Sequence, residues 1–250
     1  MTALLVLSGL LIGFIAVTLG GGGGGLYIGL LTAGFHVAPP IAVSTSLATI
    51  VPTVVIGSYS HWRAGNIRLD LGWFMLLGGA LGAAIGGMVS SLIPARLYTQ
   101  GLGALILLLL LLALIKRPEP KANRSWREIV LGGLAGLIGG VLSGIAGISG
   151  SLPIIVALLL LGCSAIEAVG TSVFVLVGVS VAGFLVHLRE GNVNWRLVGW
   201  LGAGTMAGGF LAPLVLARID KAKLERVFRP LVLGISIVMG TLMLVAPNGL

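Results

Sequence analysis

The fold turns on residues 19–27, Leu19-Gly20-Gly21-Gly22-Gly23-Gly24-Gly25-Leu26-Tyr27, six of them consecutive glycines. The tract sits inside an apolar run from Ala3 to Phe35. Such a run reads as membrane-embedded. Wound as one helix it would be about 50 Å long, too much for a hydrocarbon core of about 30 Å. Glycine is also a poor helix interior, at roughly 1 kcal/mol each relative to alanine. The stretch therefore predicts two short helices joined by an unwound segment at membrane depth. Such backbone survives only where protein buries it or where it lines a wet cavity, and broken helices of this kind point to a transporter's substrate site.

Composition sets the class. The chain has 250 residues, 57% hydrophobic and 9% charged, with mean hydropathy +1.14. Soluble domains carry about 25% charged residues. The reading is an all-α polytopic membrane protein, one membrane domain over 1–250. The net charge of +8 clusters in short loops beside apolar spans, which fits anionic lipid rather than nucleic acid. No Lys or Arg precedes the first apolar run, which argues for a retained first segment. Cys163 stands alone, so no internal disulfide forms. No cofactor or metal is expected.

Working outward, the apolar segments are about 3–35 (broken), 40–60, 71–93, 97–115, 129–161 (broken), 164–187, 196–217 and 228–246. The second half copies the first. Ala42-Val43-Ser44-Thr45-Ser46 matches Ala168-Val169-Gly170-Thr171-Ser172 at an offset of 126. The same offset pairs His61 with His187, Gly65-Asn66 with Gly191-Asn192, Gly13 with Gly139, Gly21 with Gly147 and Gly24 with Gly150. One offset holding over several points signals duplication: repeat 1 over 1–115, a linker over 116–128, repeat 2 over 129–246.

Loop charges choose the topology. If both broken segments cross the membrane, the repeats are parallel and the basic residues divide almost evenly. If each dips in and returns on the same side, the repeats are inverted. One side then holds Arg96, Arg189 and Arg196, and the other holds the remaining twelve of fifteen basic residues. The positive-inside bias favours the second arrangement. It predicts two re-entrant hairpins plus three transmembrane helices per repeat, with termini periplasmic and linker 116–128 cytoplasmic.

An unwound segment followed by a half-helix offers free backbone N–H groups and a positive dipole end, which hold an anion without a charged side chain. The candidate substrate-binding residues are Gly21, Gly22, Gly23, Gly24 and Gly25 with Ser44, Thr45 and Ser46 in repeat 1. Repeat 2 offers Gly147, Ser149, Gly150 and Ser151 with Thr171 and Ser172. Hydroxyls in membrane helices also commonly bond back to the preceding turn, and their recurrence favours site lining. Glu167 lies one turn into its helix, where a carboxylate serves either function or the dipole. His61 and His187 fall at segment ends and suit anchoring, gating or proton coupling rather than substrate contact. No HExxH, catalytic triad or paired carboxylates occur, so an enzyme is not expected.

The ordered set resembles the sulfite exporter TauE/SafE family of bacterial inner-membrane permeases. It comprises the glycine-rich break, Ala-Val-x-Thr-Ser, then His-x-x-x-Gly-Asn, and it occurs twice over nearly the whole chain. The resemblance implies a small anionic substrate such as sulfite or an organosulfonate, protons as coupling ion, and the same glycine and hydroxyl positions as the site. Repeat 2 carries Pro153 after its glycines, where the 126 offset places Tyr27. The chain is expected to act as a monomer or homodimer, and a passive anion channel and a non-transporting membrane accessory subunit are the competing readings.

Overall fold

The computed structural model describes residues 2–115, 124–146, 151–188 and 193–245. Among these the protein is helical throughout, without strands. The first broken segment is α1 (Thr2–Thr18) and α2 (Gly24–Gly29), which runs on as a π-helix over Leu30–Gly34. Three helices follow: α3 (Pro39–Arg63), α4 (Leu69–Val89) and α5 (Ala95–Ile115). The second half repeats the order with α6 (Trp126–Ala146), α7 (Ser151–Leu160), α8 (Ala165–His187), α9 (Trp195–Leu216) and α10 (Lys221–Val245). Residues 69–89, 126–145, 165–186, 195–216 and 222–245 are long and apolar enough to cross a bilayer. The last helix starts earlier than the apolar run beginning at 228 because Asp220 Oδ1 accepts the N–H of Ala222 at 2.7 Å and caps a basic first turn.

Three helix pairs start at the sequence offset: Pro39 and Ala165, Leu69 and Trp195, Ala95 and Lys221. The broken segments do not. Helix α2 starts at Gly24 and the described part of α7 at Ser151, a spacing of 127. The packing of α1 and α6 follows that spacing too. A Cβ at Gly9 would meet the Leu201 carbonyl, and one at Gly136 would meet that of Met75. Gly13 meets Thr205 as Gly140 meets Gly79. Gly204 faces Val6 and Gly208 faces Leu10, as Gly78 faces Gly133 and Gly82 faces Leu137. Gly13 thus answers to Gly140 rather than Gly139, and Gly24 to Ser151 rather than Gly150. By the same register Pro153 stands opposite Leu26, not Tyr27. The extra residue of the first half lies in the π-helix, where Phe35 donates to Leu30 five residues back at 3.2 Å. A π turn absorbs one residue more than an α turn.

These contacts also give directions. Helices α1 and α9 run the same way, since positions 9 and 13 face 201 and 205; α4 and α6 do likewise. Helices α5 and α10 run oppositely, with Gly103 against Met243 and Leu244 while Leu107 lies against Gly240. Thr2 and Asn194 line one hollow, and Thr45 in the second turn of α3 bonds the backbone of Asn194. Helices α1, α3 and α9 therefore begin at one end of the bundle. Trp126 stacks edge-on against Phe74 at 5.7 Å, and Thr171 bonds the backbone of Arg68, so α4, α6 and α8 begin at the other. Each broken segment starts and finishes at one end.

The glycines allow backbones to touch, which membrane helices use in place of a hydrophobic drive. Val17, Leu31, Ile50, Met75, Ile154 and Leu176 fill the middle, while Leu7, Leu11, Leu77, Leu81 and Ile85 face outward. An apolar rim around a polar-containing middle suits lipid as solvent.

Candidate functional site

The first break is a turn held by its own backbone. Gly21 N–H bonds the Ala16 carbonyl at 2.8 Å, closing α1. Gly20 and Gly23 both take φ +74°, a left-handed conformation that side chains resist. Gly23 precedes α2 without a side-chain cap, so the first N–H groups of α2 have no side-chain acceptor there. A Cβ at Gly20 would touch Ile155 and the Val169 backbone, and one at Gly21 would stand 3.1 Å from Ser151 Oγ. The first break therefore lies directly against the half-helix of the second.

Between them is a cavity of about 490 Å³. Gly21, Gly23, Gly24, Gly25 and Ser151 supply its polar wall; Leu152, Ile235 and Met239 are among its apolar walls. Among the described residues no charged side chain lines it. Gly22 is buried beside these residues. Gly147, Ser149 and Gly150 lie outside the described residues.

The hydroxyl pairs lie behind the cavity and hold its frame. Ser46 Oγ donates to Gly24 O at 3.3 Å from the same half, and Ser172 Oγ donates to Gly20 O at 2.9 Å from the other. Thr45 accepts Asn194 N–H at 3.1 Å, and Thr171 accepts Arg68 N–H at 2.9 Å. All four, with Ser44, are buried. The hydroxyls thus fix the ends of the break and the starts of α4 and α9.

The other candidates separate from the cavity. Glu167 forms a capping box with Ser164, accepting its N–H at 2.9 Å, and sits 3.7 Å from Arg68 at the bundle end. His61 is fully buried. Its Nδ1 lies 3.3 Å from Asn66 Nδ2, a donor, so Nε2 donates to Val17 O, also 3.3 Å away. It thereby steadies the last turn of α1, which leads into the break. The His187 side chain lies outside the described residues. Arg124 bonds the Leu161 carbonyl beyond α7 and approaches Cys163 Sγ at 3.8 Å. Burial pushes the Cys163 thiol up to about 12.

Sequence reasoning missed one cluster. Tyr27 Oη, Thr53 Oγ1 and Thr205 Oγ1 form a fully buried chain, with 3.4 Å and 2.7 Å between neighbours. It ties α2 to α3 and α9. Thr53 was legible only as the third of a run, Thr45, Thr49, Thr53, spaced one helical turn apart. Thr18 Oγ1, at the lip of the break, is buried without a partner among the described residues.

Interrupted helices from both halves, meeting in an apolar bundle at a hollow with no charged side chain among the described residues, describe a multi-pass membrane transporter. The chain belongs to the sulfite exporter TauE/SafE family, whose profile matches residues 5–243. The probable membrane transporter protein YdhB of Bacillus subtilis (strain 168) is 36% identical over 221 residues, 83% of this chain and 87% of that protein. A probable membrane transporter protein of Xylella fastidiosa (strain Temecula1 / ATCC 700964) is 29% identical, covering 92% of this chain and 91% of its own. YunE of B. subtilis, also named a probable membrane transporter protein, is 24% identical over 90% of this chain and 92% of its own. No solved structure matches.

Proposed function

We propose that the protein is a secondary transporter of a small anion, sulfur-containing in the manner of sulfite or an organosulfonate, in a bacterial inner membrane. Repeats 1–115 and 129–246 act as an inverted pair joined by a cytoplasmic linker, 116–128. Each broken segment is a re-entrant hairpin. The substrate sits between the hairpins, against Gly21, Gly23, Gly24, Gly25 and Ser151. Ser46 and Ser172 position the break, and Thr45 and Thr171 lock each half to the other.

The observation that carries this is the meeting of Gly21 with Ser151 beside a cavity that no charged side chain lines among the described residues. Backbone dipoles and a hydroxyl favour an anion while imposing no fixed countercharge to trap it. The topology is supported by both broken segments returning to the end where they start. That arrangement leaves Arg96, Arg189 and Arg196 on one side and twelve basic residues on the other. Alternating access would rock the hairpins about the shared site.

Flux through proteoliposomes tests it, using sulfite, sulfoacetate and chloride with and without a pH gradient. Saturable uptake of a sulfur oxyanion, accelerated by the gradient, is the expected result. Unitary electrical currents would make the protein a channel, and absence of flux for every anion would remove the reading.

A further inference from the structure

We propose that the groove between α3, α4 and α8 binds a phospholipid with an anionic headgroup. The groove has a volume of about 430 Å³, within the ordinary range of ligand pockets. Tyr59, Trp62, Leu69, Trp73 and Phe174 wall it. It lies where α3 finishes and α4 begins, and Trp62 and Trp73 are more than half exposed there, as aromatic residues at a bilayer interface are. Apolar walls at that depth take an acyl chain.

Charge chooses the headgroup. The Arg63 guanidinium lies 6.0 Å above the ring of Tyr59, one of the residues that wall the groove. Arg63 is exposed and has no carboxylate partner among the described residues. The nearby acids Asp70 and Glu167 are both turned to Arg68, at 2.8 and 3.7 Å. A fixed cation beside an apolar trough complements a lipid phosphate above its chain.

The duplication explains why the trough exists. Its floor includes Ser58, buried, with no hydrogen-bond partner among the described residues. The equivalent position 126 residues later is Phe184, whose ring packs edge-on against Trp195 with centroids 6.2 Å apart. Where the second half places an aromatic ring, the first places a small hydroxyl suited to a glycerol ester. The proposal needs only that the chain sits in a bilayer and is independent of what it transports.

Native mass spectrometry of the purified protein tests this with phosphatidylglycerol and phosphatidylcholine of matched chains. Wild type should retain phosphatidylglycerol by about fivefold over phosphatidylcholine, the effect of one basic group near an anionic head. Arg63→Gln should abolish that preference, and Ser58→Phe should remove both lipids by filling the floor. If Ser58→Phe is not recovered folded, the thermal shift given by phosphatidylglycerol on wild type and Arg63→Gln decides. Equal retention of both lipids by wild type would overturn the proposal. So would an undiminished preference in Arg63→Gln.

Discussion

The hydroxyl of Thr171 accepts the backbone N–H of Arg68 across 2.9 Å. The duplicated image of this bond joins Thr45 to Asn194 at 3.1 Å. Each half thus uses the third helix of one repeat to cap the fourth helix of the other. Thr45→Val and Thr171→Val should each strand a partly buried or exposed backbone donor, costing about 1 kcal/mol. Melting temperature in detergent should fall for both, by similar amounts, and Thr→Ser should recover most of the loss. A fall in one variant alone would show that the two bonds are not equivalent in strength.

The Tyr27–Thr53–Thr205 chain has no polar counterpart. Its equivalents under the duplication are Ile154 and Val179 in the second half and Gly79 in the first, all buried. The first hairpin is therefore tethered by hydroxyls where the second is tethered by packing. Tyr27→Phe and Thr53→Val should each destabilise by about 1 kcal/mol, and the double variant by less than the sum, because they remove parts of one network. Chemical denaturation of the four proteins in micelles reads the coupling; strict additivity would mean that the network acts as separate bonds.

The π-helix at Leu30–Gly34 holds the residue by which the halves differ in length. Thr32 lies within it, its hydroxyl bonded to Ile28 O at 2.8 Å. Deleting Thr32 should let the segment wind as α7 does, and the protein should be recovered folded. Deleting Gly79 from α4 should not be tolerated, since the loss of one residue rotates the following helix by about 100° and removes the face that meets Gly140. Size-exclusion profiles of both deletions check this; loss of both proteins would show that the π turn is required for folding.

The duplicated helices were legible because lipid leaves little choice: apolar length, glycine punctuation and one offset locate α3 to α5 and α8 to α10. The one-residue slip in the broken segments was not. Gly13 matches Gly139 by identity, yet the backbone contacts of Gly140 are what reproduce those of Gly13. A glycine-rich stretch aligns with itself in several registers, so identity there carries little positional information. The candidate hydroxyls were legible by recurrence, but it is the fold that brings Ser46 and Ser172 to the carbonyls of the break. Their bond partners lie 22 and 152 residues away, distances over which no local pattern speaks.

Gly25 and Gly140 separate the site from its scaffold. A Cβ at Gly25 would meet nothing within 4 Å, and the residue lines the cavity. A Cβ at Gly140 would run into the Gly79 carbonyl. Gly25→Val should therefore fold, since its side chain enters open space, while narrowing the place where the anion is held. Gly140→Val should drive α4 and α6 apart and fail to accumulate in the membrane. The informative comparison is flux per folded molecule: Gly25→Val should lower it by at least about tenfold, equivalent to about 1.4 kcal/mol at the site. Gly25→Val that melts like wild type and transports like wild type would place the substrate elsewhere, whatever happens at Gly140, because the cavity would then be partly filled at no cost to function.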